Sequence, residues 1–264
     1  MKIAIIGAGN MGGAIACGLA ASEEYKAGEI ICANPSCAKL DALKGRYDII
    51  STTTDNVKAA KEADMVIVAV KPWLAGIVVT QIAGAINAPG KILVSVVADR
   101  SFADLRMWVT QGECQPAIFR VIPNTAISVG QSMTFVAADN ATQEQIDKVM
   151  QIFSKMGEVM FVGEKMLETG MILASCGIAF ALRYIRAASE GGVELGCPAA
   201  QATRIVAATL KGAAELLLQN ESHPEQEIDK VTTAGGITIK GLNEMEHAGF
   251  TSAIIKGLKA SAGE

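Results

Sequence analysis

The chain has 264 residues, half of them hydrophobic and 5% aromatic, with a formal net charge of −4 at pH 7. This length is enough to bury one large hydrophobic core or two modest ones. The acidic balance argues against nucleic acid as a partner, because binding to phosphates needs clustered Lys and Arg. The longest apolar run in the C-terminal half, Met171 to Leu182, is too short to span a bilayer. We expect a compact protein with no membrane partner.

The cysteines predict neither disulfides nor a metal site. Six occur, at positions 17, 32, 37, 114, 176 and 197, without a Cys-x-x-Cys pair, and His223 and His247 add no metal-ligand spacing. Reduced, mostly buried thiols are expected, including Cys176 in its apolar helical run. A strand pattern begins at the first residues and leaves no room for a signal peptide, so we expect a cytoplasmic protein.

The N-terminus carries a dinucleotide-binding pattern. A short apolar strand, Lys2 to Ile6, runs into Gly7-Ala8-Gly9-Asn10-Met11-Gly12, and an apolar-periodic helix follows from Ala14 to Ala21. Gly7 permits the tight turn, Gly9 lets a pyrophosphate approach the backbone, and Gly12 lets the helix pack close to the strand. Since the strand and the helix are the context that this motif requires, the loop is predicted to bind a dinucleotide.

The end of the second predicted strand, Glu29 to Ala33, bears on the choice of nicotinamide cofactor. In an NAD enzyme an Asp or Glu usually follows this strand and binds the ribose 2′-hydroxyl, whereas this chain has Asn34-Pro35-Ser36. Without that negative charge a 2′-phosphate is not repelled, and Ser36 and Lys39 offer a hydrogen bond and a positive charge. NADP is therefore favoured, with NADPH preferred over NADH. The alternative is a plain turn followed by a solvated Lys39.

Strand patterns alternate with helical ones up to residue 162 and then stop. The further strand-like runs are Tyr47 to Ser51, Asp64 to Val70, Lys91 to Val97, Ala117 to Ile122, Met133 to Ala138 and Glu158 to Val162. The remainder reads as the helices Glu164 to Glu190, Pro198 to Asn220 and Thr238 to Glu264, with a short polar link before the last. We therefore predict an α/β protein. Its Rossmann-type, doubly wound parallel sheet occupies residues 1–162, and an all-α domain occupies residues 163–264.

The predicted helical domain carries many small residues and apolar stripes, as in Ala199 to Leu218. Three such helices can hardly bury those faces by themselves. A homodimer formed through this domain is the expected outcome.

Residues 232–242 contain a second candidate binding motif. Gly235-Gly236 precede Ile237 and Thr238 at the start of a helical pattern. Backbone N–H groups at a helix entry, aided by the helix dipole, can hold a carboxylate, and the Thr238 hydroxyl can direct a further hydrogen bond. These four residues are predicted to bind a small substrate that resembles an amino acid. The alternative is plain turn chemistry, since Gly-Gly before a helix is common.

The two ends of the chain together resemble the pyrroline-5-carboxylate reductase family, over essentially the whole chain. The resemblance rests on the N-terminal glycine motif, on Ala69-Val70-Lys71-Pro72, on Arg120-Val121-Ile122-Pro123-Asn124, and on Asp229-Lys230-Val231-Thr232 with Gly235 to Ile239. It implies NADPH-dependent reduction of 1-pyrroline-5-carboxylate to L-proline, the last step of proline biosynthesis. It also implies dimers arranged into larger rings.

The resemblance further implies roles for individual residues. Asn56 would contact the adenosine ribose, the run Ala69-Val70-Lys71-Pro72 would line the nicotinamide side, Asn124 would border the active site, and Thr238 would face the imine nitrogen. Glu221 would help to organise the substrate pocket, with an exposed link residue as the alternative. Because the nicotinamide supplies the hydride, the protein must mainly position the reactants. Lys71 is the nearest candidate acid, and a packing role is its alternative.

The chain departs from the family pattern at several positions. Asp99 stands where Gly is expected, Ala126 and Ala234 stand where Pro is usual, and Cys176-Gly177-Ile178-Ala179-Phe180 replaces Ser-Gly-Pro-Ala-Tyr. Two other functions therefore stay open. One is an oxidoreductase of another cyclic imine or of a 3-hydroxyacid, although the latter needs a helical Lys base and none occurs between Lys165 and Lys211. The other is a catalytically silent NADP-binding regulatory protein.

Overall fold

A computed structural model describes residues 1–109 and 115–263 of the protein. Cys114, predicted to be a reduced thiol, lies outside the described residues. Contacts divide the chain into two compact units, Met1–Ser175 and Cys176–Glu264.

The first unit is built on one eight-stranded sheet with the strand order β3-β2-β1-β4-β5-β6-β7-β8. The strands are β1 (Ile3–Ile6), β2 (Ile30–Ala33), β3 (Ile50–Thr53), β4 (Met65–Val68), β5 (Ile92–Ser95), β6 (Ala117–Ile122), β7 (Ser132–Asp139) and β8 (Gly157–Phe161). The first six are parallel, in the order of a doubly wound dinucleotide-binding sheet. The Rossmann-type fold is confirmed, and each of the eight strands overlaps a predicted run, although β3 begins at Ile50, three residues after the predicted start at Tyr47.

The expectation of a parallel sheet is wrong for the last two strands. β7 pairs antiparallel with β6, and β8 then pairs parallel with β7. The β6–β7 connection contains only the 3₁₀ turn Thr125–Val129 and its flanking residues. A parallel return needs a crossover of about a dozen residues or more, usually a helix, so this short connection gives an antiparallel pair.

Helices cover both faces of the sheet, and each face has its own hydrophobic core. One core gathers α1 (Asn10–Ala21), α2 (Cys37–Arg46) and α6 (Gln143–Ser154) around strand residues such as Ile3 and Ile5. The other gathers α3 (Asn56–Glu62), α4 (Pro72–Ile86), α5 (Phe102–Val109) and α7 (Glu164–Met171) around Ala4 and Ile6. Alternate residues of β1 thus point into different cores, as strand geometry requires. Because β1 and β4 are buried on both faces of the sheet, their sequences are uninterrupted apolar runs.

The first compact unit continues beyond the last strand. Leu167 of α7 is buried in the core shared with α3, α4 and α5, and Gly170 lies against the Phe135 ring. A π-helical segment, Ile172–Cys176, follows directly. The predicted boundary at residue 162 marks the end of the strands, whereas the contacts place α7 with the sheet. The division into residues 1–162 and 163–264 stays a prediction.

The second unit is entirely helical. Its helices are α8 (Gly177–Glu194), α9 (Ala199–Asn220), α10 (Pro224–Val231), α11 (Ile237–His247) and α12 (Phe250–Ser261). Three predicted spans are corrected by this arrangement. The run Glu164 to Glu190 is interrupted by the π segment, and the polar link contains α10. The last predicted run, Thr238 to Glu264, is divided: α11 ends at His247, and α12 begins after Gly249, whose φ of +84° breaks the helix.

Large apolar side chains of the second unit are exposed in a single chain. Over residues 176–263, only Ser189 and Ala202 are buried. Leu195 is 90% exposed and Ile237 is 88% exposed. Exposed apolar area of this extent is typical of an interface with another chain.

The structure also bears on three expectations drawn from composition. From the sequence, the longest apolar run of the C-terminal half, Met171 to Leu182, was too short to span a membrane. The helical run Glu164–Glu194 in the structure is longer, and by length and composition alone it could cross one. Of the five described cysteines only Cys32 is buried, so the expectation of mostly buried thiols is wrong. Among the described residues no cluster of His, Cys, Asp or Glu could hold a metal ion.

Candidate functional site at the carboxyl edge of the sheet

The predicted dinucleotide loop lies where the strand order reverses. β1 lies between β2 and β4, so connections leave its carboxyl edge in opposite directions, and ligands of such sheets bind at this crevice. Gly7 has a φ of +106°, and a Cβ placed on it would lie 2.5 Å from the Ala69 carbonyl oxygen. A Cβ on Gly12 would overlap the Gly7 carbonyl group. Both positions therefore require glycine, for the turn and for the close packing of α1.

The middle glycine leaves room for a ligand. In the described chain, a Cβ on Gly9 would meet no heavy atom within 4 Å. Gly9 is the N-cap of α1, and no described side chain caps that helix or places an acid in its first turn. The first N–H groups of α1, from Asn10 and Met11 onward, are thus free to bind an anion at the positive end of the helix dipole.

Asn34 makes hydrogen bonds to two loops of the protein. It is only 8% exposed, its Oδ1 accepts a hydrogen bond from the Ala8 N–H at 3.1 Å, and its Nδ2 donates to the Ser36 carbonyl oxygen at 3.4 Å. It therefore joins the loop after β1 to the loop after β2. Ser36 is the N-cap of α2 without a side-chain capping bond, and Lys39 is exposed on the first turn. Both residues therefore belong to the N-terminal entry of α2.

A cavity of about 750 Å³ opens at the glycine loop. Gly9, Asn10 and Lys39 border it, and it continues along α1 past Cys17 to Lys155 and Met156. The other predicted cofactor residues lie outside its lining, namely Gly7, Met11, Gly12, Asn34, Ser36, Asn56, the run from Ala69 to Pro72, and Asn124. Burial raises the pKa of the Cys17 thiol, which disfavours the reactive thiolate. Only the mouth of this cavity therefore belongs to the predicted cofactor site.

The run Ala69-Val70-Lys71-Pro72 connects β4 to α4 on the other side of the crevice. Lys71 is exposed and is the N-cap of α4, with Pro72 as the first helical residue. The Arg100 side chain holds this run: its Nε and Nη2 donate to the Pro72 carbonyl oxygen at 3.3 and 3.2 Å. Sequence reasoning did not single out Arg100. The only signal nearby was Asp99, which adopts a φ of +59° where the family pattern has glycine.

Two predicted cofactor residues, Asn56 and Asn124, bond to protein atoms. Asn56 begins α3, and its Nδ2 donates to Gln81 Oε1 at 3.0 Å. Asn124 is 5% exposed; its Oδ1 accepts from the Ala126 N–H at 3.0 Å, and its Nδ2 donates to the Ala174 carbonyl oxygen at 3.4 Å. Asn124 thereby links the 3₁₀ turn to the π segment. A proline at 126 would lack the N–H that makes the first of these bonds.

Arg120 and Glu164 form a half-buried link that sequence reasoning also missed. Arg120 on β6 is 7% exposed, and its Nη1 donates to Glu164 Oε1 at 2.8 Å. The same oxygen accepts from the Phe102 N–H at 2.8 Å, at the start of α5. Glu164 thus ties α7, α5 and β6 together.

The predicted substrate loop lies in the second unit. Gly235 has a φ of +71°, and Gly236 is the N-cap of α11. Within the described residues no side chain caps α11 and no acid lies in its first turn. The Gly236 N–H donates to the Thr233 carbonyl oxygen at 2.9 Å. Ile237 and Thr238 are exposed at the start of α11, where the first N–H groups of a helix have no partner within the helix. The arrangement suits an anion-binding helix entry.

Glu221 ends α9 in a left-handed conformation, with a φ of +49°, and is exposed. The neighbouring link is ordered by another acid, Glu227, which accepts from Ser222 Oγ at 2.6 Å and pairs with Lys230 at 2.7 Å. The hydrogen bond from Lys230 is the first cause that lowers the pKa of Glu227. Glu227, which the sequence analysis left out, is the carboxylate that holds this link.

Comparison with known proteins relates the whole chain to one family. The family described as pyrroline-5-carboxylate reductase dimerisation matches residues 164–264, and the family described as NADP oxidoreductase, coenzyme F420-dependent, matches residues 2–99. Pyrroline-5-carboxylate reductase 2 of Dictyostelium discoideum is 39% identical, over 99% of this chain and 91% of the relative. The chain belongs to the pyrroline-5-carboxylate reductase family.

Two further similarities agree with this. Pyrroline-5-carboxylate reductase 1 of D. discoideum is 40% identical over 98% of this chain, which spans about half, 48%, of that relative. The NADP-bound crystal structure of the Plasmodium falciparum pyrroline carboxylate reductase aligns with a TM-score of 0.87 at 25% identity, over 99% of this chain and 95% of that one. The predicted family and fold class are confirmed for this member of the pyrroline-5-carboxylate reductase family.

Proposed function

We propose that this protein reduces 1-pyrroline-5-carboxylate to L-proline with NADPH, as the last step of proline biosynthesis. The observation that carries the proposal is that each compact unit of a chain of this family has an uncapped helix entry, one after Gly9 and one after Gly236. The first suits a pyrophosphate and the second a carboxylate. Formation of L-proline from the imine and NADPH, detected by chromatography, tests the proposal, and its absence would overturn it.

The cofactor residues fit a phosphorylated dinucleotide. The α1 N–H groups would hold the pyrophosphate, and the open space at Gly9 admits it. Ser36 and Lys39 at the α2 entry would hold the 2′-phosphate, with Asn34 fixing the distance between the two loops. We therefore assign a preference for NADPH over NADH. Asn56 would lie beside the adenosine ribose, at the start of α3.

The remaining residues would position the imine. When bound, NADPH supplies a hydride to the imine carbon, and the C=N electron pair becomes the lone pair on the ring nitrogen. Gly235 and Gly236 would shape the turn, in which the Gly236 N–H is bonded to the Thr233 carbonyl oxygen at 2.9 Å. The N–H groups of Ile237 and Thr238 at the start of α11 would hold the substrate carboxylate, while the Thr238 hydroxyl would hold the ring nitrogen. A protonated imine needs little further acid catalysis, so holding both groups in place is the main contribution of the protein.

Three other residues complete the proposed site. Lys71 stands at the α4 entry, where its ammonium group would supply a proton to an unprotonated imine. Asn124 would support the site through its bonds to the 3₁₀ turn and the π segment. Glu221, at the end of α9, would help to organise the substrate pocket.

The assembly we propose is a homodimer formed through α8 to α12, with larger rings of dimers built from it. The exposed apolar side chains of the second unit and the dimerisation family match support this. Covering these helices with a second chain also accounts for the apolar run Glu164–Glu194 without a membrane. We propose a cytoplasmic enzyme without nucleic acid or membrane partners.

The alternatives make different demands on the chain. A 3-hydroxyacid dehydrogenase would need a helical Lys base, and the sequence has none between Lys165 and Lys211. Another cyclic imine would fit the same substrate loop, Gly235 to Thr238. In that case Ile178 and Phe180, which replace the Pro and Tyr of the family pattern, would be the residues that change the pocket. A silent NADP-binding protein would bind NADPH but would not oxidise it. Comparing imines of different ring size and substituents separates these cases.

A further inference from the structure

The turn after β5 has an unusual backbone for its sequence. Asp99 has a φ of +59°, in the left-handed region that side chains with a Cβ disfavour. Asp99 is exposed, so burial does not explain this conformation. The next residue, Arg100, is half-buried, and its Nη1 donates to the Asp99 carbonyl oxygen at 3.0 Å. The Arg100 side chain therefore folds back over the turn.

The same guanidinium reaches the loop after the neighbouring strand. Its Nε and Nη2 both donate to the Pro72 carbonyl oxygen, at 3.3 and 3.2 Å. A planar guanidinium directs its N–H groups in a fixed fork, so these bonds fix the side chain in one orientation. Arg100 thus spans the carboxyl ends of β4 and β5 from the side of β5.

The loop that Arg100 holds is fixed on its other side by the glycine motif. The Ala69 N–H donates to the Ile6 carbonyl oxygen at 2.8 Å. The Ala69 carbonyl oxygen would lie 2.5 Å from a Cβ on Gly7, so only glycine allows this approach. The run from Ala69 to Pro72 is therefore held between the glycine loop and Arg100, and its position depends on both.

In a doubly wound sheet the second half of the dinucleotide lies over the carboxyl ends of β4 to β6. We propose that Arg100 is a positioning residue for the nicotinamide half of the cofactor: by fixing the Pro72 carbonyl, it sets where Lys71 and Pro72 stand beside the ring. The inference rests on the proposed function, because it assumes that a nicotinamide binds there. Arg100 acts through this loop and does not itself touch the reacting atoms.

An alternative role for Arg100 is electrostatic. Hydrogen bonds from Ser101 are the main cause that lowers the pKa of Asp104, and the charges of Arg100 and Arg120 lower it further. If Arg100 served only this acid, any cation at position 100 would suffice. Arg100→Lys keeps the charge and loses the fork, whereas Arg100→Met loses both, so the two variants separate the readings.

The experiment uses the full chain with NADPH and 1-pyrroline-5-carboxylate. Arg100→Met is expected to lower kcat about tenfold, since a small misplacement of the reactants slows the reaction. The dissociation constant for NADPH should stay within about twofold, because the pyrophosphate contacts are unchanged. With 4-deuterated NADPH the isotope effect on kcat should rise, as hydride transfer becomes more rate-limiting. Arg100→Lys should resemble Arg100→Met.

The control is Arg106→Met, which removes an arginine of α5 paired with Asp139 at 2.6 Å. It should keep the wild-type kcat and isotope effect. Wild-type kcat and isotope effect in Arg100→Met, or full activity in Arg100→Lys, would overturn the proposal. If Arg100 had only a structural role, Arg100→Met would lower the melting temperature and leave kcat per NADPH site unchanged. That result would also overturn the proposal.

Fluorescence of bound NADPH keeps this test separate from the proposed function. If the wild-type protein binds NADPH but reduces no imine, the proposed function fails. The positioning role then predicts lower anisotropy of the bound nicotinamide in Arg100→Met than in the wild type at equal saturation. Equal anisotropy would overturn the positioning role, whatever the outcome for the reaction.

Discussion

Asn34 Oδ1 accepts a hydrogen bond from the Ala8 N–H at 3.1 Å, and this buried contact joins the two loops that would hold the pyrophosphate and the 2′-phosphate. The side chain is therefore already engaged inside the protein. Its lack of charge matters for the cofactor, because the loops that it joins lie at the carboxyl ends of β1 and β2.

Asn34→Asp tests the cofactor preference. An aspartate keeps the oxygen that accepts from Ala8, loses the donor to the Ser36 carbonyl, and adds a negative charge close to the proposed 2′-phosphate. The ratio of kcat/KM for NADPH to that for NADH should fall about tenfold, equivalent to ~1.4 kcal/mol. Asn140→Asp, which adds the same charge on an exposed turn, is the control and should leave the ratio unchanged. An unchanged ratio in Asn34→Asp would refute the assignment.

Thr238→Val tests the substrate loop. Valine keeps the shape and deletes the hydroxyl, so kcat/KM for the imine should fall about tenfold to a hundredfold, since a hydrogen bond to a charged partner is worth about 1.5–3 kcal/mol. NADPH affinity and the melting temperature should barely change, because Thr238 is exposed. The matched control is Thr251→Val, whose hydroxyl contacts only Glu246 at 2.7 Å among the described residues. Full activity of Thr238→Val would show that Thr238 is only a helix-entry residue.

Analytical ultracentrifugation tests the proposed assembly. The full chain at micromolar concentration should sediment as a dimer or as a multiple of dimers, because the apolar faces of α8 to α12 are exposed in one copy. Leu195→Glu places a charge on a side chain that is 90% exposed and should weaken association if that side chain lies in the interface. A monodisperse monomer of the wild-type chain would contradict the proposed assembly.

Lys91→Met tests how α3 is held. The Lys91 ammonium donates to the carbonyl oxygens of Ala60, Lys61 and Ala63 at the carboxyl end of α3, where a cation is favoured. Its loss should lower the free energy of unfolding by about 1 to 2 kcal/mol, measured by urea denaturation, with kcat unchanged. Lys148→Met removes an exposed i,i+4 pair with Glu144 and should cost clearly less than Lys91→Met, because solvent screens an exposed ion pair. Equal losses in the two variants would disprove the capping role.

Local patterns in the sequence predicted the first half of the chain well. The strand positions followed from buried apolar runs, and the glycine loop followed from the strand and the helix around it. The direction of β7 and the breaks in the helical half were not predicted. The N-cap of α10 is His223, which is not among the residues that usually cap helices, and the π segment has no simple periodic signal.

The contacts that complete the candidate site join residues far apart in the chain. Arg100 lies 28 residues from Pro72, and Arg120 lies 44 residues from Glu164. No spacing rule relates such pairs, because they meet only when the strands pair in the sheet. The departure at Asp99 was visible in the sequence, but its left-handed conformation and the role of Arg100 needed the structure.

The most direct test of the central claim is the rate of NADPH oxidation at 340 nm with 1-pyrroline-5-carboxylate, compared with an unrelated cyclic imine and a 2-keto acid. The account predicts turnover with 1-pyrroline-5-carboxylate at a kcat/KM at least about a hundredfold above the other two, since only this substrate offers both the carboxylate and the ring nitrogen. NADPH binding without oxidation of the cofactor, or equal turnover of all three compounds, would contradict it.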